Sequence, residues 1–357
     1  MNDKNKYFSI LESLNENESK SIHPNDKILW CDGLNTFIRN FVANPTVNEN
    51  GHHIGGLAGF MKSVGYAIRM TNPTRVVICF DGKGGSVKRR KIFPGYKSGR
   101  KIGGERRMTR LNSFSNVEEE KVSMKSQMQR LTQYLDTLPM TVVSVENIEA
   151  DDAIAYGVRQ LFPESEHVIM STDKDYLQLI DEKVSVWSPT KKKYYNQETF
   201  MEDHGVPAYN YLTYKSMIGD NSDSIPGIKG CGLKTLQKRL PILFGDKPVD
   251  IKDVIEYSTK HKDEAKILDI ISQQKDLLNL NHELMQLEEV DISARAKTSI
   301  INQIDKKMDG LVKYKFQVLM LEDLLNVSIK NPEFWLRDTF AKLDGFVKIL
   351  NEERNEQ

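Results

Sequence analysis

Nine carboxylates in this chain stand where they could share one task. The run KILWCDG ends in Asp32, and RVVICFDG ends in Asp81. MTVVSVENIEADD closes on Glu149, Asp151 and Asp152, and HVIMSTDKD closes on Asp173 and Asp175. Two more acids, Asp220 and Asp223, open GDNSDSIPGIKGCGLKTLQKRL, residues 219–240. One acid after an apolar run is ordinarily a helix cap. Four runs in succession that deliver acids are poorly explained by capping. Carboxylates gathered at one place repel and need a counter-charge, and oxygen ligands suit hard divalent cations such as Mg²⁺ or Mn²⁺. The seven histidines and three cysteines form no ligand cluster, which argues against zinc. No Ser–His or Cys–His pair stands out for nucleophilic catalysis.

The elements that must carry these acids are legible from pattern. Each acid-terminated run is short, largely β-branched and followed by a stretch that suits a helix, as in buried strands alternating with helices around a mostly parallel sheet. In such a sheet ligands bind beyond the carboxyl ends of the strands, so the acids fall on the functional edge. KVSVWSPTKKKYYNQ reads as a strand and hairpin at the sheet edge. From Val206 the pattern becomes helical. The predicted organisation is a flexible extension over 1–26 with a short helix around Tyr7–Leu14, an α/β core over 27–205, and a helical region over 206–357. An amphipathic helix over Glu333–Asn351 is expected to pack on its own domain.

At 357 residues the chain suits one large domain or two ordinary ones. Hydrophobic residues make up 39% and charged residues 28%, as in a soluble globular protein. No run approaches the roughly eighteen apolar residues of a membrane span, and the N-terminus lacks a signal-peptide core, so a cytoplasmic protein is expected. Cys31, Cys79 and Cys231, an odd number without C-x-x-C spacing, are expected as reduced thiols.

Fifty basic residues balance fifty acidic ones, but not evenly. Lys83 to Arg110 holds eleven Lys or Arg and one acid, so that segment is +10 and the remainder is −10. Such a block is either a solvated loop or a polyanion contact. Residues 227–235 place Gly227, Gly230 and Gly232 in a tight loop, with Lys234 and Thr235 opening a helix. That arrangement lets a backbone approach an anion, although a simple turn has the same look. The Walker order G-x-x-x-x-G-K-[ST] is absent.

Six motifs in order, WCDGLN, CFDG, RRKIFPGYKSGR, EADD, TDKD and GDNSDSIPGIKGCGLKTL, resemble the flap endonuclease and 5′-to-3′ exonuclease family. The compact length is similar to its phage-encoded members, such as the T-even-type phage ribonuclease H. The resemblance covers about residues 27–240. It implies a PIN-like nuclease core, a basic helical arch over 83–130 and a helix–three-turn–helix element at 219–240. It implies that Asp32, Asp81, Glu149, Asp151, Asp152, Asp173, Asp175, Asp220 and Asp223 hold two Mg²⁺ ions, with Mn²⁺ as a substitute. The strand-end acids then serve mainly the cleavage metal, and Asp175, Asp220 and Asp223 lie nearer the second. Lys88 or Arg89 would lie over the scissile phosphate, and Lys97 would be the arch lysine. Arg90 and Arg100 would hold phosphate, while Tyr96 would either stack on a base or be a core aromatic. Backbone groups of the 227–235 loop, with a bound K⁺, would grip duplex phosphates.

The implied substrates are branched or 5′-ended duplex DNA and RNA–DNA hybrid, cut by a monomer during primer removal. The implied partners are replication proteins such as a single-strand-binding protein or a sliding clamp. A PIN-type ribonuclease shares the acidic α/β core but lacks the basic arch and the 219–240 motif. A non-catalytic junction-binding module would not need the complete acid set.

Overall fold

A computed structural model describes residues 22–99, 107–109 and 114–356. The expected helix around Tyr7–Leu14, Arg100 and part of the basic arch lie outside the described residues. The four acid-terminated runs are strands: β1 (Lys27–Asp32), β2 (Arg75–Asp81), β3 (Thr141–Val145) and β4 (Glu166–Met170). The expected hairpin is β5 (Val184–Ser188) and β6 (Lys193–Tyr195). They form one sheet in the order β3-β2-β1-β4-β5-β6. All neighbours are parallel except β5 and β6.

This order has a physical consequence. The chain steps outward from β1 to β2 and β3, then returns to place β4 on the other side of β1. The connections therefore diverge between β1 and β4, which opens a crevice beyond their carboxyl ends. Register sets Trp30 beside Ile169 and Cys31 beside Met170, so Asp32 and the turn after Met170 flank that crevice.

Side-chain alternation sends the strand residues to two cores. Leu29, Cys31, Val76 and Ile78 pack with α1 (Gly33–Ala43), α2 (Gly55–Thr71) and α4 (Val117–Leu135). Ile28, Trp30, Val77 and Cys79 face α5 (Ala150–Tyr156) on the opposite side. Between β2 and α4 the basic segment forms the short helix α3 (Val87–Ile92).

Helices follow β6 as expected: α6 (Gln197–His204), α7 (Tyr211–Ile218), α8 (Leu233–Arg239), α9 (Ile251–Lys260), α10 (Lys266–Ser272), α11 (Lys275–Met285), α12 (Ala294–Ile304), α13 (Lys313–Asp323) and α14 (Pro332–Glu356). They do not make a body of their own. Apolar residues of α8 to α12 join the core under α5, whereas Phe316 and Met320 of α13 and Leu336, Phe340 and Leu343 of α14 join the core under α2. The expected amphipathic helix thus packs on its own chain, with Phe346, Val347 and Leu350 buried as well and Phe334 and Ile349 exposed. Each large apolar side chain buried in this way contributes about 1.5–3 kcal/mol.

The arch is shorter than the sequence pattern suggests. Residues 117–130 belong to α4, which lies against the sheet with Leu131, Tyr134 and Leu135 buried. Gln127 fixes it there, accepting from the Leu57 amide at 3.1 Å and donating to the His53 carbonyl at 2.7 Å. The three cysteines are free and buried, in line with the expectation of reduced thiols. No helix of the described residues is long and apolar enough to cross a membrane.

Candidate active site

The carboxyl edge of the sheet brings five of the predicted acids to one cleft of about 180 Å³. Asp32, Asp81, Glu149, Asp151 and Asp173 line it, together with Asn35, Arg39 and Lys97. Asp32 ends β1 and caps α1: its Oδ1 accepts from the Asn35 amide at 3.0 Å. Its Oδ2 accepts from Ser171 Oγ and Tyr176 OH, each at 3.3 Å. Asp81 ends β2 and accepts from the Ala150 amide at 2.7 Å, which ties the β2 end to the start of α5. Glu149, Asp151 and Asp152 sit at that start, with ligand oxygens within 4.8 Å of one another. Asp173 follows β4 and accepts from the Asp175 amide at 3.0 Å.

The remaining acids form an adjoining layer. Asp175 and Asp220 share the buried Lys215 ammonium, which lies 2.7 Å from Asp220 Oδ2 and also contacts Asp175 Oδ1. Asp220 is turned by its own loop, accepting from the Ser222 amide at 2.8 Å and the Ser222 hydroxyl at 2.6 Å. The Asp223 carbonyl accepts from the Lys97 amide at 2.8 Å, so the acidic loop touches the basic segment directly.

The basic residues divide. Arg89 is buried. Its guanidinium grips both oxygens of Asp152, at 2.8 and 3.0 Å, contacts Glu149, and donates from Nε to the Leu284 carbonyl at 3.0 Å. Lys88 points elsewhere and pairs with the exposed Asp291 at 2.7 Å. Lys97 reaches Glu149 from a left-handed backbone, φ 55°. Arg90 is exposed.

Tyr96 departs from the base-stacking expectation. It is 2% exposed, packs with Ile225, Leu284 and Met285, and donates its hydroxyl to Glu149 at 3.2 Å. An aromatic ring with its polar tip satisfied inside the core has no face to offer a nucleobase.

Electrostatics follow from this crowding. Burial, reinforced by the charges of Asp81 and Asp151 and opposed by the Asn35 amide, pushes the Asp32 carboxyl up to about 7. Burial and the neighbouring Asp175 charge raise Asp173 to about 7 as well. Asp152 rises to about 6 because burial outweighs Arg89. Asp220 moves the other way, to about 2: burial would raise it, but Lys215 and Ser222 overcome that.

In the 219–240 element the glycines differ. A Cβ on Gly227 would meet the Ile218 carbonyl oxygen at 2.0 Å, and Gly230 holds φ 94°, a left-handed backbone that side chains resist. Gly232 needs neither allowance; nothing lies within 4 Å of its Cβ position. It precedes α8 without a side-chain cap, and Lys234 and Thr235 occupy the first turn. Among the residues that line the cleft or contact its acids, the motifs did not single out Asn35, Arg39, Ser171, Tyr176 and Lys215. Lys215 had a signal: a lone charge inside the apolar helix YLTYKSMI, five residues before Asp220.

The model of the 5′-3′ exonuclease N-terminal resolvase-like domain matches residues 27–205, half of the chain and all six strands. The chain belongs to the 5′-3′ exonuclease family. It is a nuclease that hydrolyses DNA phosphodiester bonds. The 5′-3′ exonuclease of Bacillus subtilis is 30% identical over 223 residues, covering 60% of this chain and 69% of that protein. That of Aquifex aeolicus is 26% identical over 297 residues, covering 82% and 92%. DNA polymerase I of Borreliella burgdorferi is 23% identical and matches 91% of this chain but only 37% of its own length. The bacteriophage T5 D15 protein, crystallised with metal ions, shares the fold at TM-score 0.56 and 20% identity, over 84% of this chain and 99% of that one.

Proposed function

We propose that the chain is a two-metal, structure-specific 5′ nuclease that removes 5′ flaps and degrades 5′ ends of duplex DNA and RNA–DNA hybrid, the chemistry of primer removal. The observation that carries this reading is the cleft shared by Asp32, Asp81, Glu149, Asp151 and Asp173, with Lys97 at its wall. Its charged donor atoms are carboxylate oxygens, with no imidazole or thiolate, which fits Mg²⁺ or Mn²⁺ rather than softer ions. Burial keeps the Asp32 and Asp173 carboxyls raised although Lys215 draws Asp173 partly down, which leaves counter-charge to be supplied on this side of the cleft. When bound, such ions supply an activated water and neutralise charge on the phosphate and leaving oxygen.

The five cleft acids would hold the cleavage metal, and Asp175, Asp220 and Asp223 would serve the second. Arg89 keeps Glu149 and Asp152 oriented from behind. Lys97, at the cleft wall beside Glu149, would meet the reacting phosphate. Asn35 and Tyr176 fix the Asp32 carboxylate through its two oxygens. The duplex would lie against residues 227–235, where Gly230 permits the turn and the uncapped start of α8 leaves amide N–H groups free for phosphate. Contacts of this kind position a duplex without reading its sequence.

A 5′-labelled flap substrate incubated with Mg²⁺ tests the reading. Release of the flap strand by the wild type, lost in Asp81→Asn and Asp173→Asn while binding persists, is the expected result. Cleavage restricted to single-stranded RNA, or full activity in both variants, would overturn it.

A further inference from the structure

The two layers of acids differ in how their charge is met. In the cleft, Arg89 and Lys97 pair with Glu149, and Arg89 reaches Asp151. Asp32, Asp81 and Asp173 line the same cleft and make no ion pair among the described residues. The adjoining layer carries its own cation. Lys215, on α7, is 4% exposed. Its ammonium contacts Asp175 Oδ1 and lies 2.7 Å from Asp220 Oδ2. A buried ammonium between two carboxylate oxygens supplies the counter-charge that a bound cation would otherwise supply.

The two carboxylates do not depend on that ammonium for their place. Gln178 is buried and donates to the Asp175 carbonyl at 2.8 Å and the Met285 carbonyl at 2.9 Å, which fixes the Asp175 turn to α11. Asn281 is buried and donates to the Ser216 carbonyl at 2.9 Å and the Pro226 carbonyl at 2.8 Å, which fixes α7 to the loop beyond Asp220. Across that loop the backbones of Asp220 and Ile225 exchange hydrogen bonds of 2.9 and 2.8 Å. A neutral side chain at position 215 would therefore leave the two acids close together and without their counter-charge.

We propose that Lys215 is a built-in counter-ion of the second metal site: it keeps that site weakly occupied, so that without DNA the protein holds one divalent ion firmly in the cleft and a second one loosely. The inference rests on the reading of Asp175, Asp220 and Asp223 as the second metal's ligands. Like charges a few ångströms apart repel strongly enough, even at the screening found in proteins, for one ammonium to weaken the binding of a divalent ion by about tenfold or more.

Mn²⁺ binding to the full chain without DNA, followed by titration calorimetry, tests the proposal. The wild type should bind one Mn²⁺ tightly and a second at least about tenfold more weakly. Lys215→Met and Lys215→Gln remove the charge and should tighten the second ion by about tenfold or more, and the first ion less. Lys215→Arg keeps the charge and should bind like the wild type. Adding Asp220→Asn to Lys215→Gln should cancel the gain, which assigns it to this pair of acids. An unchanged second affinity in both neutral variants would overturn the proposal. So would a weaker second ion in those variants, which would make Lys215 a scaffold for the acids, or an equal gain in Lys215→Arg, which would make space and not charge the cause. Lys215→Gln can still donate to a carboxylate and decides between these outcomes if Lys215→Met does not fold. A wild type that binds no Mn²⁺ would remove the two-metal reading and this inference with it.

Discussion

Asp32→Asn should abolish cleavage yet make the metal-free protein more stable near neutral pH. The Asp32 carboxyl is raised from 3.8 to about 7 by burial and by the charges of Asp81 and Asp151. A carboxyl whose folded pKa exceeds its unfolded one contributes its full stability below the unfolded value and loses it as pH rises through the folded value. The wild type therefore loses this contribution between pH 3.8 and about 7. Asparagine cannot titrate and does not. At roughly 1.4 kcal/mol per pH unit the full gap is about 4 kcal/mol. Part is forfeited, because the amide offers Ser171 and Tyr176 a donor where they had an acceptor; about 2–3 kcal/mol should remain. The Asn35 cap survives, since the amide keeps one oxygen. An unfolding entropy of about 2.1 cal/mol/K per residue converts this to a melting point about 3–4 °C above wild type. The assay is thermal unfolding in EDTA across the pH range, repeated with saturating Mg²⁺. The variant's advantage should be full at about pH 8, where the wild-type carboxyl is ionised in both states, and should disappear near pH 4. Mg²⁺ should raise the wild-type melting point more than the variant's. A variant that melts below wild type in EDTA at about pH 8, or an advantage undiminished near pH 4, refutes the reasoning.

Other perturbations follow from the same geometry. Lys215→Met leaves Asp175 and Asp220 buried without their cation and should cost about 3–5 kcal/mol in urea unfolding, with Mg²⁺ restoring part of it; an unchanged unfolding midpoint would show that the pair is not coupled as drawn. Gly230→Val should cost about 1–2 kcal/mol from its left-handed backbone, measured by circular dichroism melts, and should weaken duplex binding. Gly232→Val should fold like wild type because its Cβ position is open. Any loss of duplex affinity in Gly232→Val, measured in Ca²⁺, then reports on the DNA contact alone, should be alike across duplex sequences, and should deepen with salt. Gly157→Ala would set a Cβ 2.1 Å from the Trp30 ring and should destabilise the core by about 1–3 kcal/mol without changing metal dependence; a melt matching wild type would mean that Trp30 can move.

The strands and the acids were legible in the sequence because both are local. A β-branched run of five or six residues declares a strand by itself, and an acid that ends it is carried to the sheet's edge whatever the rest of the chain does. The same holds for the β5–β6 hairpin and for Gly230, whose backbone is a property of one residue in one turn. What tertiary structure decided was which charges meet. The strand order set Asp32 beside the turn that carries Asp173, from 141 positions further along the chain. Arg89 became a buried clamp instead of an exposed phosphate contact because α11 offers it the Leu284 carbonyl and the start of α5 offers it three carboxylates. Tyr96 was drawn into the core by Ile225, Leu284 and Met285. Lys215 could be buried only because Asp175 and Asp220 arrive from different elements to share its charge. Burial of a charge is favourable only when partners distant in sequence converge on it, and no local pattern encodes that convergence.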